Sequence, residues 1–233
     1  MQTEPTNRRL NGIYRKLSEH FGPQYWWPGE TPFEIMAGAV LTQSTAWHNA
    51  AKAISNLKDA GSLNPAVIRR LPVVKLAGLI RPCGYFNTKA RKLQALAIWL
   101  GQMCGDNISL LSDVSTAVLR HSLLDVYGVG PETADSILLY GLRRPVFVID
   151  AYTRRIAARL GIIPSSGRGY DDYQRLFTAN TEPDAAMYNE FHALLVKQAK
   201  SACRKVPRCC QCCLLNGCPT GKTGGGKEPV HEP

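Results

Sequence analysis

Three groups of residues in this chain have the types and spacing to do chemistry. The first is Gly128-Val129-Gly130, set between two helical patterns and followed by Pro131, Glu132, Thr133 and Ala134. Glycine permits the positive φ of a tight hairpin and the close approach of another backbone. Pro131 suits the first turn of the helix that follows. The unpaired amides of such a turn can hold a phosphate, or a cation bridging to one. Taken alone, a Gly-x-Gly is more often a helix–helix connection that needs glycine only for geometry. The second group is Pro145-Val146-Phe147-Val148-Ile149-Asp150, an apolar run that delivers an Asp to the head of a basic helix beginning Ala151-Tyr152-Thr153-Arg154-Arg155. Asp is a common N-cap. A carboxylate held ionised by helix amides can also orient water or stabilise a nearby positive charge if it faces a substrate. The third group is six crowded cysteines: Cys203, Cys209, Cys210, Cys212, Cys213 and Cys218, with Cys83 and Cys104 standing apart. A disulfide framework spreads its cysteines along a short secreted chain. So tight a cluster reads instead as a metal site in a reducing cytosol.

The elements that must position these groups are helical nearly throughout. From Asn87 to Gly101, Ala90, Leu93, Leu96, Ala97 and Leu100 fall on one face and Lys89, Arg91, Lys92 and Gln94 on the other. Asn87 or Thr88 reads as the N-cap and Gly101 as the residue past the end. Similar patterns cover Phe33–Leu41, Ala46–Lys58, Val114–Tyr127, Thr133–Leu142, Ala151–Leu160 and Ala185–Ala202, and Asp171-Asp172 begins another. The one strand-like run, Val146–Ile149, has no obvious pairing partner. An all-α protein is expected, with a disordered tail over 221–233, where Gly-Gly-Gly and Lys-Glu-Pro replace apolar periodicity.

Composition limits the class of function. Hydrophobic residues make up 45% of the 233 and charged ones 20%, which is ordinary globular composition. No apolar stretch approaches the roughly 20 residues that span a bilayer, and Met1–Arg9 lacks the apolar core of a secretory signal. A cytoplasmic protein without a membrane partner is expected. Lys and Arg number 28 against 18 Asp and Glu, a formal net charge of +10. Such a surplus favours polyanionic partners, whose phosphates are neutralised with release of counterions.

The hairpin with Thr133-Ala134, then Val148-Ile149-Asp150, then a C-terminal cysteine cluster, together resemble the helix-hairpin-helix DNA glycosylase superfamily, the group of endonuclease III and its relatives. The resemblance runs from about Tyr14 to Pro219 and implies a two-lobed all-α fold with double-stranded DNA in the cleft. A six-helix lobe would span 25–143. Residues 1–24 and 144–220 would form a discontinuous cluster lobe. It further implies a monomer that flips the target nucleotide out of the duplex and acts on its glycosidic bond. Asp150 matches the superfamily's essential aspartate, which stabilises the oxocarbenium-like sugar and aligns or activates water. Gly128, Val129, Gly130 and Thr133 would grip the DNA strand, with a monovalent cation at the hairpin. Gln43 falls in the stretch that fills the space vacated in the duplex.

One departure bears on the reaction type. Bifunctional members carry a lysine where this chain has Glu132, and a carboxylate cannot form the imine that a lysine amine forms. A monofunctional hydrolase is expected, with Glu132 serving as a favourable charge in the first turn of its helix. Substitution by another lysine is the competing reading. The resemblance makes the cysteine cluster a [4Fe–4S] site. The preferred register is Cys203-x5-Cys209-x2-Cys212-x5-Cys218, and the alternative is Cys203, Cys210, Cys213 and Cys218. Four cysteines could equally bind tetrahedral zinc by spacing alone. The cluster's expected task is to fold a basic loop carrying Arg204, Lys205 and Arg208 against the DNA.

For the substrate, Tyr25-Trp26-Trp27-Pro28 and the run Phe33–Trp47 resemble the 3-methyladenine DNA glycosylase III branch, as do Tyr85–Ala90 and Val148–Thr153. In that branch the residues matching Trp27 and Trp47 sandwich the flipped base, and those at Trp26 and Pro28 line the pocket. The bland alternative for these tryptophans is core packing. Alkylation puts charge on a purine, weakens its glycosidic bond and draws it to electron-rich rings by about 0.5–2 kcal/mol per contact. At least one form of the branch uses a lysine in place of the cluster, so the cysteines here mark a different sub-branch. Two further readings are weighed: a glycosylase for damaged or mismatched pyrimidines, such as uracil or thymine opposite guanine, and a non-catalytic structure-specific DNA-binding module. His20, His48, His121, His192 and His231 show no metal-ligand spacing and read as surface or packing residues. Lys197 and Lys200 read as a solvated face near the cluster.

Overall fold

The computed structural model describes residues 4–223; of the tail expected to be disordered over 221–233, Gly221 and Lys222 are instead helical, and from Gly224 onward it lies outside the described residues, as does His231. Every regular element among the described residues is a helix. In chain order they begin with α1 (Thr6–Phe21), α2 (Pro32–Leu41), α3 (Trp47–Asp59) and α4 (Pro65–Arg70). Next come α5 (Val73–Leu79), α6 (Phe86–Cys104), α7 (Thr116–Leu124) and α8 (Pro131–Ser136). The last four are α9 (Ala151–Arg159), α10 (Tyr170–Thr178), α11 (Ala185–Ser201) and α12 (Pro219–Lys222). None is long and apolar enough to cross a membrane.

The chain divides into two compact units, one of Trp27–Arg144 and one of Met1–Trp26 with Pro145–Pro233. In the first, α2 is buried almost all round, from Phe33 to Leu41 apart from Ile35. It packs against α3 and α6, while α6 also covers α4 and α5. The apolar face read along α6 is buried as expected, Ala90, Leu93, Leu96, Ala97 and Leu100 all being fully covered. It begins at Phe86, with Tyr85 rather than Asn87 or Thr88 at its N-cap, and two further features of that helix differ from the sequence reading. It runs past Gly101 to Cys104, where Gly105 in the left-handed region ends it. Gly101 is there to admit a neighbour: a Cβ on it would stand 2.8 Å from a guanidinium nitrogen of Arg69. That guanidinium donates to the Ala97 carbonyl at 2.8 Å and grips both oxygens of Asp106 at 2.6 Å.

Lys89 is the second difference. Placed on the solvent face by periodicity, it is 2% exposed. Its Nζ donates to the carbonyls of Leu41 at 2.9 Å and Cys83 at 2.7 Å, at the ends of α2 and of the short 3₁₀ turn Arg81–Cys83. The ammonium is a good partner for carbonyls left over at helix ends, and burial pushes its pKa down. The pattern at Val114–Tyr127 also resolves differently. Ser115 caps α7 by accepting from the Val118 amide at 3.3 Å, so the helix starts at Thr116 and ends at Leu124.

The second unit is organised around Phe147. Its ring meets Phe177 at 4.6 Å, Tyr188 at 5.1 Å and Phe191 at 5.6 Å between centroids, and Tyr14 of α1 meets Phe191 at 5.3 Å. The run Val146–Ile149 is extended but not paired as a strand. Its backbone is satisfied by side chains of α10: Gln174 Nε2 donates to the Phe147 carbonyl at 2.8 Å, and the Ile149 amide donates to Tyr170 Oη at 3.3 Å. Phe147 is fully buried, a burial that contributes about 1.5–3 kcal/mol. This anchor holds the segment that leads into Asp150.

Candidate active site

Asp150 caps α9 with extended backbone (φ −91°, ψ 178°), and its Oδ1 accepts from the Thr153 amide at 2.6 Å. The residue is only 9% exposed. Its other oxygen, Oδ2, lies 3.6 Å from Nε2 of His192 on α11. Burial alone would raise the carboxyl pKa, but attraction to His192 and bonding from Thr153 outweigh it and hold the value below the ordinary one. The side chain is thus an ionised, fixed carboxylate. Sequence reading gives His192 a surface or packing role, and the residue is buried. The available signal was its place inside the apolar run Phe191-His192-Ala193-Leu194-Leu195, where a titratable ring needs a reason.

The hairpin between α7 and α8 uses its two glycines differently. Gly128 has φ +80°, and a Cβ there would lie 2.4 Å from the Lys92 stem. Both conformation and contact therefore require glycine. Gly130 is extended (φ −98°, ψ 179°) with open space where a Cβ would point, leaving room for a second backbone to approach. Val129 is buried, 6% exposed. Gln43 is tied to this turn: its Nε2 donates to the Gly128 carbonyl at 3.0 Å and to Thr133 Oγ1 at 2.9 Å. Its Oε1 accepts from Lys92 Nζ at 2.6 Å. Gln43, Gly128 and Thr133 thus form one network, to which the sequence reading did not add Lys92. Glu132 stands exposed in the first turn of α8.

Beyond Ser136 the helix widens into a π turn over Ile137–Gly141, which carries Tyr140. Its ring stacks on Trp27 at 4.9 Å and 27°, and Trp27 meets Trp47 edge to face at 5.3 Å and 79°. Gly38 of α2 lets the indole come close, since a Cβ there would stand 3.1 Å from Trp27 Nε1. Trp27 and Trp47 are therefore neighbours in an aromatic group. As they stand, however, they touch rather than form a parallel slot for a base, and Tyr140 was absent from the reading. Trp26 is half-buried and Pro28 exposed.

The cysteine segment is bound to the tail of α9. Arg155 Nε donates to the Cys203 carbonyl at 3.0 Å, and Arg159 donates to the Arg204 and Lys205 carbonyls at 2.6 and 2.9 Å. Arg159 also stands 3.3 Å from Cys203 Sγ, and the Cys218 thiol lies 3.4 Å from the Arg159 carbonyl. Burial raises the Cys212 thiol pKa, and Cys203 and Cys218 are near enough to raise it further. A Cβ on Gly221 would sit 3.7 Å from both Cys209 Sγ and Cys218 Cβ. Cys210 is exposed, and Cys213 neighbours Lys16. Among the described residues, no group of three or more His, Cys, Asp or Glu is set to hold a single metal ion. His20, His48 and His121 are exposed.

Comparison with known proteins identifies the family. A protein from Methanocaldococcus jannaschii, provisionally named a DNA repair glycosylase, is 42% identical over 207 residues, covering 88% of this chain and 94% of that one. Endonuclease III of Sulfolobus acidocaldarius is 27% identical over 188 residues, covering 80% and 81%. Among solved structures, the Helicobacter pylori 3-methyladenine DNA glycosylase bound to 1,N6-ethenoadenine is 30% identical. It superposes with a TM-score of 0.70 over 84% of this chain and 98% of its own. An endonuclease III–DNA complex, 20% identical, shares the fold with a TM-score of 0.77 over 96% and 98%. The family model for the HhH-GPD superfamily base excision DNA repair proteins matches residues 37–183, from the middle of α2 through the hairpin and Asp150 to the loop before α11. With hairpin, capped carboxylate and all-helical fold together inside that match, the chain belongs to the HhH-GPD superfamily of base-excision DNA repair proteins.

Proposed function

We propose that this protein is a monofunctional DNA glycosylase that hydrolyses the N-glycosidic bond of alkylated purines, such as 3-methyladenine, in duplex DNA. The observation that carries the reading is the buried carboxylate of Asp150, held ionised at the head of α9. In the reaction the bond between C1′ and the base nitrogen breaks, and its electron pair leaves with the cationic base, which becomes neutral. The sugar is left as an oxocarbenium-like cation, which an ionised carboxylate stabilises. Water oxygen then bonds to C1′ while Asp150 accepts its proton and passes it to solvent. Exposed Glu132 occupies the position of the superfamily's lysine, which supports hydrolysis without an imine.

The aromatic group of Trp27, Trp47 and Tyr140 supports a cationic base as leaving group, because electron-rich rings favour it over its neutral parent. Trp26 and Pro28 complete the proposed pocket. For a base to stack between Trp27 and Trp47, the edge-to-face pair must open, and rotation of Trp47 is the simplest route. Gly128, Val129, Gly130 and Thr133 are proposed to receive the DNA backbone through main-chain groups, with a monovalent cation at the turn. Gln43 would have to leave its hairpin partners to enter the duplex. The similarity to the Helicobacter enzyme supports the alkylpurine class. The endonuclease III relatives keep damaged pyrimidines as the second reading.

Cys203, Cys209, Cys212 and Cys218 are proposed to hold a [4Fe–4S] cluster. Their shared neighbourhood supports that register over one using Cys210 and Cys213: Cys203 and Cys218 lie near Cys212, and Cys209 and Cys218 both lie beside Gly221. A single tetrahedral ion needs its sulfurs at about 2.3 Å from one point. A four-iron cluster is held by four Cys thiolates. Bound there, the cluster would brace the loop of Arg204, Lys205 and Arg208. Purified protein should be brown, with broad absorption near about 400 nm; a colourless zinc protein would reverse the assignment.

The test of the function is a panel of labelled duplexes carrying methylated purines, 1,N6-ethenoadenine, uracil or thymine opposite guanine, followed by alkaline cleavage of abasic products. Release of methylpurine without strand scission before alkali is expected. Release of uracil or thymine alone would establish the pyrimidine reading, and efficient borohydride trapping of a protein–DNA imine would overturn the monofunctional one.

A further inference from the structure

We propose that His192 is a positioning residue for the reaction, aiming the free oxygen of the Asp150 carboxylate from a second helix. The inference rests on the reading of Asp150 given above and extends it to a residue outside its local cap. The Thr153 amide pins Oδ1 at 2.6 Å, but that bond alone leaves the carboxylate plane free to turn about Cβ–Cγ, a broad and roughly two-fold torsion. Oδ2 faces His192 Nε2 at 3.6 Å, and the two residues are 9% and 5% exposed. Two contacts from different helices, α9 and α11, fix a plane that one cannot. α11 is itself well seated, with Phe191 beside His192 packed on Phe147, the anchor of the run into Asp150. The imidazole thus belongs to the same rigid assembly that sets where the carboxylate begins. Its Nε2 edge lies on Oδ2, the oxygen that the Thr153 amide does not hold. The work assigned to it is orientation: it keeps Oδ2 in one place while the sugar becomes cationic and water approaches.

The consequence is a division between binding and chemistry. Removing the imidazole should leave duplex affinity alone and slow bond cleavage, since misplacing a reacting group by about 1 Å can cost on the order of a hundredfold. Duplex DNA methylated with tritiated dimethyl sulfate serves as the probe, with released methylpurine counted under single-turnover conditions. His192→Phe should lose roughly 10- to 100-fold in the cleavage rate, with duplex affinity within about twofold of wild type. His192→Gln, whose amide can reach toward Oδ2, should recover most of that loss. An independent readout is the ¹⁵N spectrum of the His192 ring in the full-length protein, where Asp150→Asn should shift the Nε2 resonance. An unchanged resonance, or a His192→Phe rate within about twofold of wild type, overturns the proposal. Equal losses in both His192 variants with weakened duplex binding also overturn it, by showing a packing role. Asp150→Asn is assayed in parallel: if it cleaves normally, the reading of Asp150 itself fails. If it is inactive while His192→Phe is normal, only the present inference fails.

Discussion

Asp150 and Asp184 head two helices of the same unit, α9 and α11, with the same local bond. Each places Oδ1 2.6 Å from the amide three residues on, that of Thr153 in one case and Met187 in the other. In local terms they are one motif, an aspartate N-cap. They diverge only in what the rest of the chain brings. Asp184 is exposed, whereas Asp150 is covered on all but 9% of its surface and faced by His192. The comparison teaches that the cap supplies a carboxylate with a defined position, while burial and a partner from another helix give it a defined charge and direction. A second contrast stands in the other unit. Lys89 and Lys92 lie three residues apart on α6, one buried against two carbonyls and the other half-buried against Gln43.

The comparison breaks most directly by neutralising each aspartate in turn. Asp150→Asn keeps a good N-cap and should remain folded, yet base release should fall by on the order of a thousandfold. Asp184→Asn should release base at the wild-type rate in the same single-turnover assay. Equal activity of the two variants would remove the distinction. Next in size is the lysine pair. Lys89→Met leaves two buried carbonyls without a donor and should cost about 2–4 kcal/mol in denaturant unfolding, while Lys92→Met should cost less than about 0.5 kcal/mol. Asp184→Ala removes only an exposed cap and should cost about 1 kcal/mol with activity retained.

The smallest effect is that of pH. The Asp150 carboxyl is held below its ordinary value, so the stability it contributes is present above the unfolded value of about 3.9 and is lost as pH falls through the lower folded value. Stability against pH should therefore lose an acid-side contribution when Asp150 becomes Asn. Base release should keep its ionised carboxylate to below about pH 4. An acid limb above that value that disappears in Asp150→Asn would mean the carboxyl is not held down.

Much of the architecture was legible because it depends on neighbours in the chain. The apolar face of α6, the Gly128 turn and the Asp150 cap follow from residues within a few positions of one another, where periodicity and φ limits operate. Misreadings arose where a distant side chain intruded. Gly101 looked like a helix end but makes room for Arg69. Lys89 looked solvated but closes the ends of two other elements. Trp27 and Trp47 were read as the two faces of a base sandwich, but they meet edge to face, and Tyr140, carried on a π turn that no local pattern announced, stacks on Trp27.

What the amino-acid order determined by itself is the all-helical class, the glycine bend, the capped carboxylate and the crowded cysteines, together with the excess of cationic charge. These follow from short-range sterics and from residue chemistry. Only the tertiary structure decided which capped aspartate is buried, that His192 stands 3.6 Å from its second oxygen, and that Gln43 is bound to the hairpin. The physical reason is that desolvation and cross-helix contact depend on packing between segments far apart in the chain. The electrostatic state of a side chain follows that packing rather than the identity of its neighbours in sequence.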